Sequence, residues 1–201
     1  MISDQFLRWY LPMYAAVYLG WIVWRSRFIS RQIGKSPRVF GRSDSVYDYV
    51  GRWFTLIRVL VIVLIMIFVV SEDVYQRLVP IPYLEVNILR VIGLGLASIA
   101  LVWIVLAQTQ MGGSWRMGID RNTTTALVAH GLFSRSRNPI YLGMMLMLFG
   151  LFLGIPNAVS LLMFVLSYVL MQIQVRLEED FMTQTHGEEY RSYCQRVRRW
   201  L

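Results

Sequence analysis

The chain has 201 residues, 56% hydrophobic and only 16% charged, with a mean hydropathy of +0.49, a balance that excludes a soluble globular core and describes an integral membrane protein. Its formal net charge of +8 does not form a nucleic-acid stripe: most of the arginines fall in three segments, 25–52, 108–138 and 176–199, between apolar stretches. Cys194 is the single cysteine, which excludes a disulfide or a cysteine-based metal site, and it stands too far from the end for a prenylation box.

A helix needs about 20 mostly apolar residues to cross a hydrocarbon core roughly 30 Å thick, and this selects 6–24, 53–70 and 88–107 as the first three spans. The first has no basic leader, holds Arg8 and Pro12, and is followed by basic residues with no small-residue cleavage site. It reads as a retained span and not a signal peptide. Residues 26–45, with Gly34, Pro37 and Gly41, read as an irregular loop. The 71–87 connection carries Glu72, Asp73 and Glu85 against Arg77. From 139 to 173 the chain is apolar but is interrupted by "GIPNA" at 154–158. Proline cannot continue a helix and Asn tolerates turns, so the stretch predicts a hairpin of two short helices, each about 16 residues or roughly 24 Å.

The expected fold is therefore all-α and polytopic, with five spans and the fourth and fifth paired as a hairpin. The basic segments after spans one, three and five share one side, which the positive-inside rule makes the cytoplasm. The N-terminus then lies outside, and the C-terminus inside.

The polar residues able to do chemistry fall after spans three and five, so they can meet only at the cytoplasmic mouth. Asn138 before Pro139 is a favourable helix start, the Asn capping free N–H groups and the Pro suiting the first turn. Arg135 and Arg137 can snorkel to headgroups. Gly143, Gly150 and Gly154 lie within roughly 40° on one helix face, a smooth side better suited to close helix packing than to a ligand groove. Glu178 and Glu179 are about 100° apart on a helix, so one can face a site while the other pairs with an arginine such as Arg137. His186 precedes a glycine that can stop a helix, and Tyr190 and Tyr193 share a face of the next one. His130 and His186 have no metal-ligand spacing. No phosphate-binding loop, dinucleotide fingerprint or serine-hydrolase motif is present.

In order along the chain stand "LVAHGLF", "RNPIYLG" opening the hairpin, and "EED" followed nine residues after Glu178 by "GEEYRSY". This combination resembles the isoprenylcysteine carboxyl methyltransferase family and its phospholipid N-methyltransferase relatives, over about 108–198. The resemblance implies a methyltransferase that uses S-adenosyl-L-methionine at the cytoplasmic mouth. It further implies that Thr125, Ala126, Leu127 and Val128 line the cofactor, with Phe133 nearby. Asn138, Pro139 and Tyr141 would form its wall, and Glu178 would accept its hydrogen bonds.

The chain departs from the family pattern at three places. Members often carry His at the positions of Asn138 and Thr125, and isoprenylcysteine members carry an Arg where Gln174 stands, with Arg176 two residues on. Gln174 and Arg176 are thus the candidate substrate residues, and the acceptor is a lipid-like amphiphile offering a carboxylate or an amine. The sequence assigns no catalytic base; Tyr141, Glu179 and His130 are near enough in the chain to be considered for one. On this reading 1–107 is a three-span scaffold and 108–201 the cofactor-binding region. A non-catalytic scaffold on anionic lipid is the alternative, and an NADPH-dependent membrane reductase a less favoured one, since such chains carry more spans.

Overall fold

The computed structural model describes residues 2–39, 45–118 and 125–201. Gly41, expected in the 26–45 loop, lies outside the described residues. Every regular element among the described residues is helical: α1 (Asp4–Ile33), α2 (Val46–Val70), the short α3 (Glu72–Gln76), α4 (Asn87–Gln110), α5 (Pro139–Gly154), α6 (Ala158–His186) and α7 (Glu188–Arg196).

Among the described residues three helices, α2, α4 and α6, are long and apolar enough to cross a membrane, and α5 is apolar but shorter. Their outward faces stay apolar: Val59, Val63, Ile99, Val102, Leu162 and Val165 are all exposed. Such a surface is stable only where lipid replaces water. The charged Arg8 in α1 is tolerated because its guanidinium donates to Glu72 Oε2 at the start of α3, 2.5 Å away.

The far end of the bundle, opposite the site described below, is closed by the 71–87 connection and the α5–α6 bend. Asp4 pairs with Arg90 at 2.7 Å, and the backbone N–H of Ile81 donates to Pro156 O at 2.9 Å. Asn157, fully buried, caps α6: its Oδ1 accepts from Ser160 N at 2.9 Å while Ser160 Oγ accepts from Asn157 N at 3.1 Å. That reciprocal pair satisfies donors that a buried helix start would otherwise leave bare. Leu7, Leu64, Phe68, Tyr75, Ile155 and Met163 form the core beside it.

The hairpin expected at 154–158 is present, but its second arm does not stop near 173. Helix α6 runs 29 residues to His186, about 43 Å at 1.5 Å per residue, because no breaker intervenes before Gly187. For the same reason 26–33 is not loop: α1 continues to Ile33, and Gly34 ends it at φ 71°.

The glycines of α5 pack against α4. A Cβ built on Gly150 would stand 2.5 Å from Gly93 O and 2.9 Å from Ala97 N, and one on Gly143 would stand 2.6 Å from Ile104 Cγ1. Gly154 has only ordinary room, with Leu94 Cδ2 at 3.7 Å. The backbone contact leaves no side chain to rearrange, so Gly150→Ala should destabilise the protein by about 1–3 kcal/mol. Gly95→Ala, on the open side of α4 with nothing within 4 Å, should leave the thermal unfolding midpoint in detergent unchanged or raised.

Candidate functional site

Where α4 ends and α5 begins, the chain folds over the lower half of α6 and the tail. Gln110 Oε1 accepts from Leu132 N at 2.8 Å and holds the turn at 131–134, where Gly131 has φ 60° and no room for a Cβ beside the Gln110 side chain. Tyr193 of α7 donates its hydroxyl to Phe133 O at 2.6 Å, and burial pushes that phenol up to about 12. Trp103 Nε1 donates to Pro139 O at 2.9 Å, which ties the first turn of α5 to α4.

Glu179 is the centre of the arrangement. Its carboxylate accepts from Arg137 Nε at 3.1 Å, from Arg199 Nη2 at 2.7 Å and Nε at 3.1 Å, and from Asn138 Nδ2 at 3.2 Å. Arg137 also donates to the carbonyls of Cys194 and Val197, at 3.2 and 2.9 Å. The loop before α5, the shaft of α6 and the chain after α7 are thereby joined through one acid. The hydrogen bonds with Glu179 hold the Arg199 guanidinium above its ordinary range.

Asn138 therefore does not cap α5, contrary to the expectation from its position before Pro139. It occupies the cap position with no side-chain cap bond, because its amide reaches across to Glu179 and to Arg199 O. Pro139 does occupy the first helical position.

One turn into α5 the Tyr141 hydroxyl donates to Glu178 Oε1 at 2.5 Å, and Gln174 Nε2 donates to the same oxygen at 2.8 Å. The two neighbouring acids thus differ as their angular separation requires: Glu179 is bound by two arginines, while Glu178 meets only neutral donors.

Above Glu178 opens a cleft of about 980 Å³, counted with its open mouth. All nine residues predicted to surround a cofactor, Thr125 to Val128, Phe133, Asn138, Pro139, Tyr141 and Glu178, line it. Gln174 stands behind Glu178 as its hydrogen-bond donor and is fully buried. Arg176 is on another face of α6, exposed and bonded to Gln172, and does not enter the lining. Of the candidate bases, Glu179 is occupied by arginines and His130 is exposed outside the lining; Tyr141 faces the cleft.

The sequence reading missed Phe181, Met182 and Tyr190 on the lining and Arg199 as a partner of Glu179. Phe181 and Met182 stand three and four residues after Glu178, the spacing that shares a helix face, so the signal was present. Arg199 had none, since its approach depends on α7 reversing the chain at Gly187.

Removing Glu179 leaves two guanidiniums without their acid, a loss on the order of 3 kcal/mol for a largely buried pair. Glu179→Ala should lower the unfolding midpoint and free residues 196–201, detected as faster tryptic cleavage at Arg196 to Arg199 than in the wild type.

A family model described as phospholipid methyltransferase matches residues 88–189, just over half of the chain. An uncharacterized protein of Haemophilus influenzae is 36% identical over 63 residues, covering 31% of this chain and all of that one.

Proposed function

The chain belongs to the phospholipid methyltransferase family, a family of membrane methyltransferases, and on that premise we propose that it transfers a methyl group from S-adenosyl-L-methionine to a membrane-embedded amphiphile offering a carboxylate or an amine. The observation that carries this reading is the Glu178 carboxylate, which lines the cleft with neutral donors alone, Tyr141 and Gln174. An acid so placed suits a ligand with positive charge of its own, and S-adenosyl-L-methionine, carrying an ammonium and a sulfonium, supplies a methyl group bonded to positively charged sulfur.

The remaining donors fit as well. Residues 125–128 line the cleft outside any helix or strand, so their backbone groups have no helical partners, and only the Ala126 carbonyl is engaged by a side chain, that of Ser114 at 3.3 Å, among the described residues. Leu127 and Phe133 offer apolar surface for a flat ring. Methyl transfer is a direct displacement, and what the protein contributes is alignment and exclusion of water. Asn138, fixed by Glu179, and Pro139, fixed by Trp103, set the wall against which the reactants are aligned. A carboxylate acceptor needs no base. For an amine acceptor the Tyr141 hydroxyl, bonded to Glu178, is the group positioned to relay a proton.

In the same reading α1, α2, α4, α5 and α6 make five crossings, residues 1–107 serve as scaffold and 108–201 hold the cofactor. The start of α1 lies outside and the cleft faces the cytoplasm. Arg25, Arg27, Arg31, Arg137 and Arg199 at the cleft end outnumber Arg8, Arg77 and Arg90 at the other, which supports that orientation by the positive-inside rule.

The test is incubation of purified protein with labelled methyl donor, a total lipid extract and a prenylcysteine analogue, followed by mass spectrometry of whatever gains a methyl group. Wild type should label a lipid-like product. Glu178→Ala should weaken S-adenosylhomocysteine binding by roughly 10- to 100-fold, the worth of a charge-assisted hydrogen bond, and Leu127→Arg, which puts a long cationic side chain into the cleft, should abolish it. Wild-type protein that binds no S-adenosylhomocysteine and methylates nothing in the extract would overturn the assignment.

A further inference from the structure

A second cavity, of about 880 Å³ counted with its open mouth, lies among α1, α2, α4, α5 and α6 and shares no lining residue with the cleft. It follows α1 from Tyr10 to Leu19 and α2 from Phe54 to Ile65, a length of roughly 15 Å at 1.5 Å per residue. Its wall is almost wholly apolar, formed by side chains such as Ile57, Val61, Met147 and Met171.

Two polar groups break that wall. Arg58 is half-buried within α2, and among the described residues neither a hydrogen bond nor an ion pair reaches its guanidinium. Ser167 is 1% exposed and its Oγ has no hydrogen-bond partner. The tyrosines nearby do not serve them: Tyr14 donates to Ala97 O at 2.7 Å and Tyr10 is bonded to Ser98 Oγ at 2.6 Å. A phenol such as that of Tyr18 carries no charge of its own to balance the guanidinium.

A cation in an apolar enclosure is costly unless an anion accompanies it. We propose that this cavity binds a single-chain carboxylic acid, its hydrocarbon chain among α1, α2, α5 and α6, its carboxylate on Arg58 and with the Ser167 hydroxyl as an additional donor. The elongated apolar shape suits one acyl chain. The charge count selects the headgroup: among the described residues Arg58 is the only cation in the lining, and it neutralises one carboxylate, whereas a phosphate monoester carries nearly two charges at neutral pH and would keep one unpaired. Guanidinium and carboxylate also match as a bidentate pair. The inference does not require that the cleft take a methyl donor.

The test compares dodecanoate with dodecanol, equal in chain length and different in charge, added to full-length protein in a nonionic maltoside detergent. Calorimetry should show the acid binding wild type about tenfold or more tightly than the alcohol, with the larger rise in unfolding temperature. Arg58→Met, which keeps the apolar stem, should bring the two ligands to parity, and Val61→Trp, which fills the cavity, should weaken both. Equal affinities in wild type, or an undiminished acid preference in Arg58→Met, would overturn the proposal. If Arg58→Met does not fold, the acid and alcohol shifts in wild type decide alone: equal shifts sink it. Dodecyl phosphate binding more tightly than dodecanoate would overturn the choice of headgroup.

Discussion

The cleft depends on one buried acid. Glu179 sits on the shaft of α6, and its carboxylate is shared among Arg137, Arg199 and Asn138. A charge so enclosed is stable only with its partners in place. Its partners come from two other parts of the chain, so satisfying the acid brings three segments together: the loop into α5, α6 itself, and the residues beyond α7. The neighbouring Glu178 is then turned toward the cleft by helix geometry alone, where Tyr141 and Gln174 hold it.

This arrangement joins structural strength to chemical availability. The acid that braces the fold is neutralised and has no capacity left for a ligand. The acid that faces the cleft has neutral donors only; burial raises its pKa, and a cation in the cleft favours its charged form. The helix pair beneath supports both: backbone contact between Gly93 and Gly150 brings α5 close to α4, and Trp103 fixes the carbonyl of Pro139. The wall of the cleft is thus built on rigid helices and not on the loop alone.

Much of this was legible in the sequence because it is local. The Pro156 and Asn157 pair marks the hairpin, the glycine spacing marks the smooth face of α5, and the 100° between consecutive residues separates the roles of Glu178 and Glu179. The nine residues that the motifs singled out all line one cleft. What escaped was non-local. Asn138 has the form of a cap residue, yet a buried carboxylate 41 residues away is a stronger partner for its amide than a helix N–H. Arg199 joins the centre only because Gly187 reverses the chain, and Arg176, close to the acids in sequence, turns to another face and bonds Gln172. Hydropathy also cannot tell where a helix stops beyond its apolar stretch, and α1 and α6 run on to Ile33 and His186.

The central claim, that segment 125–141 and the 174–182 stretch of α6 enclose one cationic small molecule, is tested most directly by hydrogen–deuterium exchange with and without S-adenosyl-L-methionine. The account predicts added protection in those two stretches together and none along α1 at 10–19. Protection confined to other parts of the chain, or unchanged exchange at saturating ligand, would contradict it.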